Sequence, residues 1–334
     1  MANNDIIAFI KNNLNDDFDH NFNYLMSELM HYQKLRGGEE IVPEIIKLFR
    51  SELGEAGLKK LNEEVNKSFQ VRIAKFNEAI KLLKEKKKIE AQDILVKLID
   101  TFPIKKANDD VVPVYNFQNL FESLLFTKKV QPQNQFRQIN EPIGGYYFHL
   151  ALIFFEEKDY EESIKMLNQV LEYNPVYVEA YLLKAECYLQ EGHNDLFFDN
   201  IKKALLYSYT RVHLAKCYFL LGRYYLDLEN KEIALSFLVM SKHYDQTPFI
   251  DGFIKKAVLL TGEFIDFAEP ADLIDNFNKV DIQFGPNKEV FEVLDICVKE
   301  ARDNNNVKLI KYFLTIMFNL TENEQIKKEL EALK

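Results

Sequence analysis

The chain has 334 residues and a formal net charge of −10 at pH 7, with 47% hydrophobic and 28% charged residues. That balance fits a protein with a real core and argues against a nucleic-acid binder, which needs a concentrated basic surface. With 11 Gly and 9 Pro, tight turns are too few for an all-β fold, and the Leu/Ile/Lys/Glu-rich stretches predict helix.

Residues 1–71 read as a helical N-terminal region, with helices over 4–34 and 40–70. Gly37-Gly38 is the break, and Pro43 falls in a first helical turn. Residues 72–103 read as a degenerate helical pair on Ala79, Leu82, Ala91, Leu95, Leu98 and Pro103. The basic run Lys81 to Lys88 within it lacks interleaved aromatics and reads as a solvated helix end. Residues 104–145 read as an irregular connection with a short helix around Phe117 to Phe126, long enough to be functional or mobile.

Three clearer copies of one pattern occupy 146–248. Tyr147, Leu150, Ala151 and Phe154 are followed by Ser163, Leu167, Val170 and Pro175. Tyr181, Ala185, Tyr188, Gly192, Phe197, Ile201 and Ala204 come next, and then Tyr218, Leu221, Gly222, Tyr225, Ala234, Leu238 and Ser241. The spacing is 34 residues from Tyr147 to Tyr181 and 37 from Tyr181 to Tyr218. Residues 249–334 read as a C-terminal helical region. It holds an irregular stretch, 263–288, and a looser copy on Leu294, Val298, Ala301, Ile310, Leu314 and Met317.

This order of large and small residues resembles the tetratricopeptide repeat family, W-x2-L-G-x2-Y then Ala, Phe/Leu, Ala and Pro, with Tyr standing for Trp in all three copies. Over nearly its full length, through "KIEAQDILVKLI", "YNFQNLFESLLF", "LAKCYFLLGRYY" and "GPNKEVFEVL", the chain also resembles a group of tetratricopeptide proteins from low-GC bacteria. The resemblance implies an all-α superhelix of antiparallel helix hairpins, with the additional helical N-terminal region. It also implies that Gly222, with Ala151 and Ala185 in the same slot, is a packing notch facing Ala234 on the partner helix.

Catalytic and metal motifs are missing from the sequence. The six histidines share no ligand spacing, and Cys187, Cys217 and Cys297 form no metal-type pair or disulfide framework. A reducing cytoplasm is therefore the expected location, with no cofactor, no metal, no small-molecule substrate and no enzyme activity. The start lacks a basic n-region, the apolar run Ile6 to Ile10 is too short for a signal segment, and Tyr146 to Phe155 is too short to span a membrane. Asp159 reads as a helix cap with Glu162 three residues on.

In the implied superhelix the first helix of each hairpin lines a concave face. Projection places there Phe148, Leu152 and Phe155 from the first copy, and Glu179, Leu182, Glu186 and Leu189 from the second. The third copy adds Lys216, Phe219, Arg223 and Leu226. The face is more apolar than a solvated one, which marks a binding site unless the N-terminal region or the 104–145 segment fills it. The carboxylate clamp of chaperone-adaptor members of the family is not carried over, because Phe148, Leu152 and Leu183 stand in its slots and only Lys216 remains. Two functions are expected from this: a scaffold that binds a protein or peptide in the groove, or a peptide-responsive regulator whose superhelix changes shape. Neither involves nucleic acid or membrane, and self-association stays open.

Overall fold

The computed structural model describes residues 3–35, 38, 40–102, 113–130, 135–245, 247–261 and 270–333. Among them are 16 helices and one pair of two-residue strands, so the chain is all-α, built of antiparallel hairpins of the tetratricopeptide type. None of the described helices is long and apolar enough to cross a membrane. Gly37, Pro103, most of "ANDDVVPVYN" and residues 263–269 of the expected irregular stretch lie outside the described residues, and residues 270–279 of that stretch are helical rather than irregular.

The chain divides into two compact units, residues 1–116 with 132–153, and residues 117–131 with 154–334. In the first unit the segment expected as one helix over 4–34 is two, α1 (Asn3–Asn12) and α2 (Phe18–Lys34). The break has a local cause. Asn15 and Asn21 bond reciprocally, Asn15 N–H to Asn21 Oδ1 at 2.9 Å and Asn21 Nδ2 to Asn15 O at 2.6 Å. Asp17 then caps α2 by accepting from His20 N–H at 2.7 Å. Both helices pack on α3 (Ile41–Lys84) through a core that includes Ile10, Phe22, Leu25, Ile45 and Phe49. Gly54, at φ 64° and ψ −162°, interrupts the helical backbone of α3.

α4 (Lys88–Asp100) folds back on α3, with Ala79 and Ala91 fully buried. A short parallel ladder of β1 (Val114–Tyr115) and β2 (Arg137–Gln138) then leads to α6 (Ile143–Glu156). At its start Glu141 takes Arg72 Nε on both oxygens, at 2.7 and 2.9 Å, and accepts from the Tyr146 hydroxyl at 3.1 Å.

The second unit begins with α5 (Leu120–Lys129) and continues from the end of α6 through α7 (Tyr160–Tyr173), α8 (Val178–Glu191), α9 (Asn194–Tyr207), α10 (Arg211–Asp227) and α11 (Lys231–Tyr244). α12 (Pro248–Thr261), α13 (Pro270–Lys279), α14 (Lys288–Asp303), α15 (Val307–Thr321) and α16 (Glu324–Ala332) complete it. α8 pairs with α9, α10 with α11 and α14 with α15, while α10 also packs on α8 and on α12. The Tyr181 hydroxyl donates to Pro175 O at 2.9 Å, and the buried Tyr218 hydroxyl meets Gln283 O and Gly285 O at 3.1 Å each. In the second and third copies the tyrosine in the tryptophan slot thus has its polar end satisfied.

Gly222 is a notch: a Cβ there would lie 2.7 Å from Leu238 Cγ and 3.2 Å from Ala234 O. The contact that forbids a side chain is Leu238 together with the Ala234 backbone, so the expected small-against-small pairing is only part of the reason.

Five hairpins share one turn. Lys86, Lys158, Gly192, Glu229 and Asn305 all have positive φ, between 52° and 75°. In each, the N–H of the next residue reaches five residues back: Lys87 to Leu82, Asp159 to Phe154, His193 to Tyr188, Asn230 to Tyr225 and Asn306 to Ala301, at 2.8–2.9 Å. This is the Schellman closure. The residue after the positive φ then starts the second helix; Asp159, Asn230 and Asn306 also cap it with their side chains.

Candidate functional site

The predicted face falls into three parts. Phe148 and Leu152 are half-buried on the portion of α6 that belongs to the first unit. Phe155, at the other end of α6 in the second unit, packs its ring 5.6 Å from Tyr160. The remaining eight residues lie on α8 and α10, side by side in the second unit.

On that α8–α10 strip the structure pairs charges that the sequence reading kept separate. Glu179 Oε1 meets His213 Nε2 at 3.1 Å, and Glu186 Oε1 meets Arg223 Nη1 at 3.1 Å. Arg223 is thus already engaged by α8. Burial by itself would raise the Glu179 carboxyl, but the His213 hydrogen bond and charge, with Lys216 beside them, hold it below the ordinary glutamate value. Three covered polar atoms of these pairs have no hydrogen-bond partner: Glu179 Oε2, His213 Nδ1 and Arg223 Nη2. His213 is only 4% exposed. Lys216 is exposed on the same strip.

The apolar members of the strip are less open than projection suggested. Leu182 is 5% exposed and Leu226 is 3% exposed, so both belong mainly to the core, while Leu189 and Phe219 are half-buried. Leu226 is covered because α11 and α12 close around it with Ala234, Leu235, Leu238 and Ala257. Phe219 meets two rings of α12, Phe249 at 5.3 Å and Phe253 at 5.0 Å between centroids. Phe249 remains 64% exposed, so the apolar surface continues onto α12.

Sequence reasoning missed His213, Phe249 and Phe253. The sequence carried a signal for only one of the two pairs: Arg223 follows Glu186 by 37 residues, the spacing between the second and third copies, whereas His213 follows Glu179 by 34.

The 104–145 connection contributes α5, whose position is fixed by Glu122, a carboxylate 1% exposed. It accepts from Gln118 N–H at 2.8 Å, Asn174 Nδ2 at 2.7 Å and the Tyr209 hydroxyl at 2.9 Å. Burial pushes the Glu122 carboxyl above its ordinary value, and the three donors oppose it. Phe121 packs on Tyr209 and Phe313, and Lys128 and Lys129 pair with Glu300 and Glu289 of α14. These contacts lie on the turns between hairpins and on the C-terminal pair. α5 therefore abuts one end of the strip, where Tyr209 stands edge-on to His213 at 5.2 Å.

All three cysteines are buried, and burial pushes Cys187 and Cys297 up to about 11 and Cys217 up to about 12. Among the described residues, no group of three or more His, Cys, Asp or Glu could hold a metal ion. A cleft of about 600 Å³ in the first unit is lined by Met26, Met30, Val65, Val71, Phe102 and others. The guanidinium at its edge, Arg72, is engaged by Glu141 and Ser68.

A family model described as a tetratricopeptide repeat matches residues 154–195, the stretch from the end of α6 through the α8–α9 turn. No curated protein matches the chain. Among solved structures, one titled for the functional characterization of Pseudomonas aeruginosa PilF superimposes with a TM-score of 0.42 at 10% identity. It covers 79% of this chain and 98% of its own. Tetratricopeptide repeats mediate protein–protein interaction, and a protein or peptide partner follows at that level.

Proposed function

We propose that the chain is a non-catalytic interaction scaffold that takes a segment of a partner protein across α8, α10 and α12. The observation that carries this reading is the strip itself: two half-buried ion pairs, the exposed Lys216 between them, and the exposed ring of Phe249 at its α12 edge. A solvated helix face has no reason to hold an aromatic ring in water beside charges that lack part of their hydrogen bonding. The buried, raised thiols support a role without covalent chemistry.

The test uses substitutions on exposed or half-exposed groups. Leu182→Asp is a poor probe, because a charge placed at a buried leucine unfolds the hairpin whatever its role. Phe249→Asp and Phe219→Asp are the informative pair. Proteins that co-purify with the wild-type chain are expected to be lost from both variants, while circular dichroism melts show the hairpins intact. Retention of every partner by both folded variants would overturn the groove reading.

A further inference from the structure

The strip has an order that specifies the chemistry of its ligand, given the groove reading above. α8 presents acids, Glu179 and Glu186. α10, beside it, presents bases, Lys216 and Arg223, with His213 buried on the same helix. α12, beside α10, presents the rings of Phe249 and Phe253. From these observations we infer that the occupant is an extended peptide carrying a basic residue, an acidic residue and an aromatic or large apolar residue in that spatial order, spaced about three residues apart.

The spacing follows from geometry. Packed helices lie about 8–10 Å apart, and an extended chain advances about 3.3 Å per residue. A peptide crossing successive first helices therefore meets a new helix about every three residues. A helical ligand, at 1.5 Å per residue, would need about six residues per step.

The unpartnered atoms set the sign of each contact. Glu179 Oε2 is a carboxylate acceptor that awaits a donor. Arg223 Nη2 is a donor that awaits an acceptor. These atoms are covered within their pairs, and the Glu179 and Arg223 side chains are partly exposed. An ammonium or guanidinium then completes Glu179, and a carboxylate shared by Lys216 and Arg223 completes the α10 row. The buried His213, held by Glu179 and edge-on to Tyr209, keeps the acidic end of the strip in register.

The experiment is selection of random twelve-residue peptides displayed on phage against the purified full-length chain. Fluorescence anisotropy then follows on the best peptide. Enriched peptides are expected to carry Lys or Arg, then Asp or Glu, then Phe, Tyr, Trp or Leu, at three-residue steps in either chain direction. Lys216→Glu, an exposed site, is expected to weaken the selected peptide at least tenfold. The same variant is expected to bind the peptide whose acid has been replaced by Lys better than wild type does.

Enrichment at six-residue steps overturns the extended occupant. Binders that depend on Phe249 and Phe219 but ignore charge, or no charge-swapped rescue by Lys216→Glu, overturn the charge order and leave the groove standing. If no binder is weakened by Phe249→Asp or Phe219→Asp, the groove reading itself fails.

Discussion

Two polar clusters in the second unit sit close together and are built on opposite terms. Around Glu122, a carboxylate removed from water finds a backbone N–H, an amide and a phenol. Along α8 and α10, Glu179, His213 and Arg223 each keep one covered polar atom without a partner. An unsatisfied buried group costs about 1–3 kcal/mol, so a cluster that serves only folding closes its hydrogen bonds, as Glu122 does. The strip leaves them open beside an exposed lysine and an exposed ring. The contrast separates a staple that fixes α5 from a surface that gains on meeting a ligand.

The largest effect should come from the staple. Glu122→Ala strands the Asn174 amide, the Tyr209 hydroxyl and the Gln118 N–H in a buried site, and should cost about 3 kcal/mol in urea unfolding. Glu186→Gln on the strip should stay within about 1 kcal/mol, the range of a partly exposed ion pair. Equal losses from the two would erase the distinction.

Acid titration of stability divides the clusters in sign. The Glu122 carboxyl is raised in the folded chain, so its contribution is full below the ordinary value of 4.5 and is lost as pH rises through the folded value. The Glu179 carboxyl is lowered, so its contribution is present above 4.5 and is lost as pH falls through the folded value. Glu122→Gln should therefore gain on wild type as pH rises above 4.5, and Glu179→Gln should close its deficit as pH falls. Measured unfolding free energies across that range with the opposite slopes would reverse the assignment.

The hairpins were legible because their signals are local. The Tyr and Ala/Gly spacing falls on α6, α8 and α10, and Asp159 does cap α7 by accepting from Glu162 N–H at 3.1 Å. What stayed hidden depends on distant pairing. Nothing in the sequence around Glu122 says that Asn174 and Tyr209 will meet it, 52 and 87 residues away. Projection onto a helix also cannot see that α11 and α12 close over Leu226. The α1–α2 break was missed for a smaller reason: the Asn15–Asn21 exchange competes with the helix ladder in a stretch whose apolar periodicity runs on.

The two hairpin glycines sharpen the same lesson on a middle scale. At Gly222 a methyl would lie 2.7 Å from Leu238 Cγ, whereas at Gly192, φ 75°, nothing lies within 4 Å. Gly222→Ala gains about 1 kcal/mol of helix propensity and loses about 1–3 kcal/mol to overpacking, for a net loss of about 1 kcal/mol. Gly192→Asn should cost less than about 1 kcal/mol, because Asn305 already adopts positive φ at the matching turn. Thermal melts that rank the two the other way would mean that the turn, and not the notch, limits the array.

The smallest effect on folding is expected exactly where function is placed. Phe249 is mostly in water and Lys216 is exposed, so Phe249→Asp and Lys216→Glu should each shift the unfolding free energy by no more than about 0.5 kcal/mol. Both should nonetheless abolish or weaken capture of the partner peptide at least tenfold. The staple behaves the other way round: loss of Glu122 lowers stability first, and binding suffers only as far as the fold does. A Phe249→Asp chain that loses several kcal/mol would place that ring in the α10–α12 core with Phe219 and Phe253, and the aromatic end of the strip would then be structural.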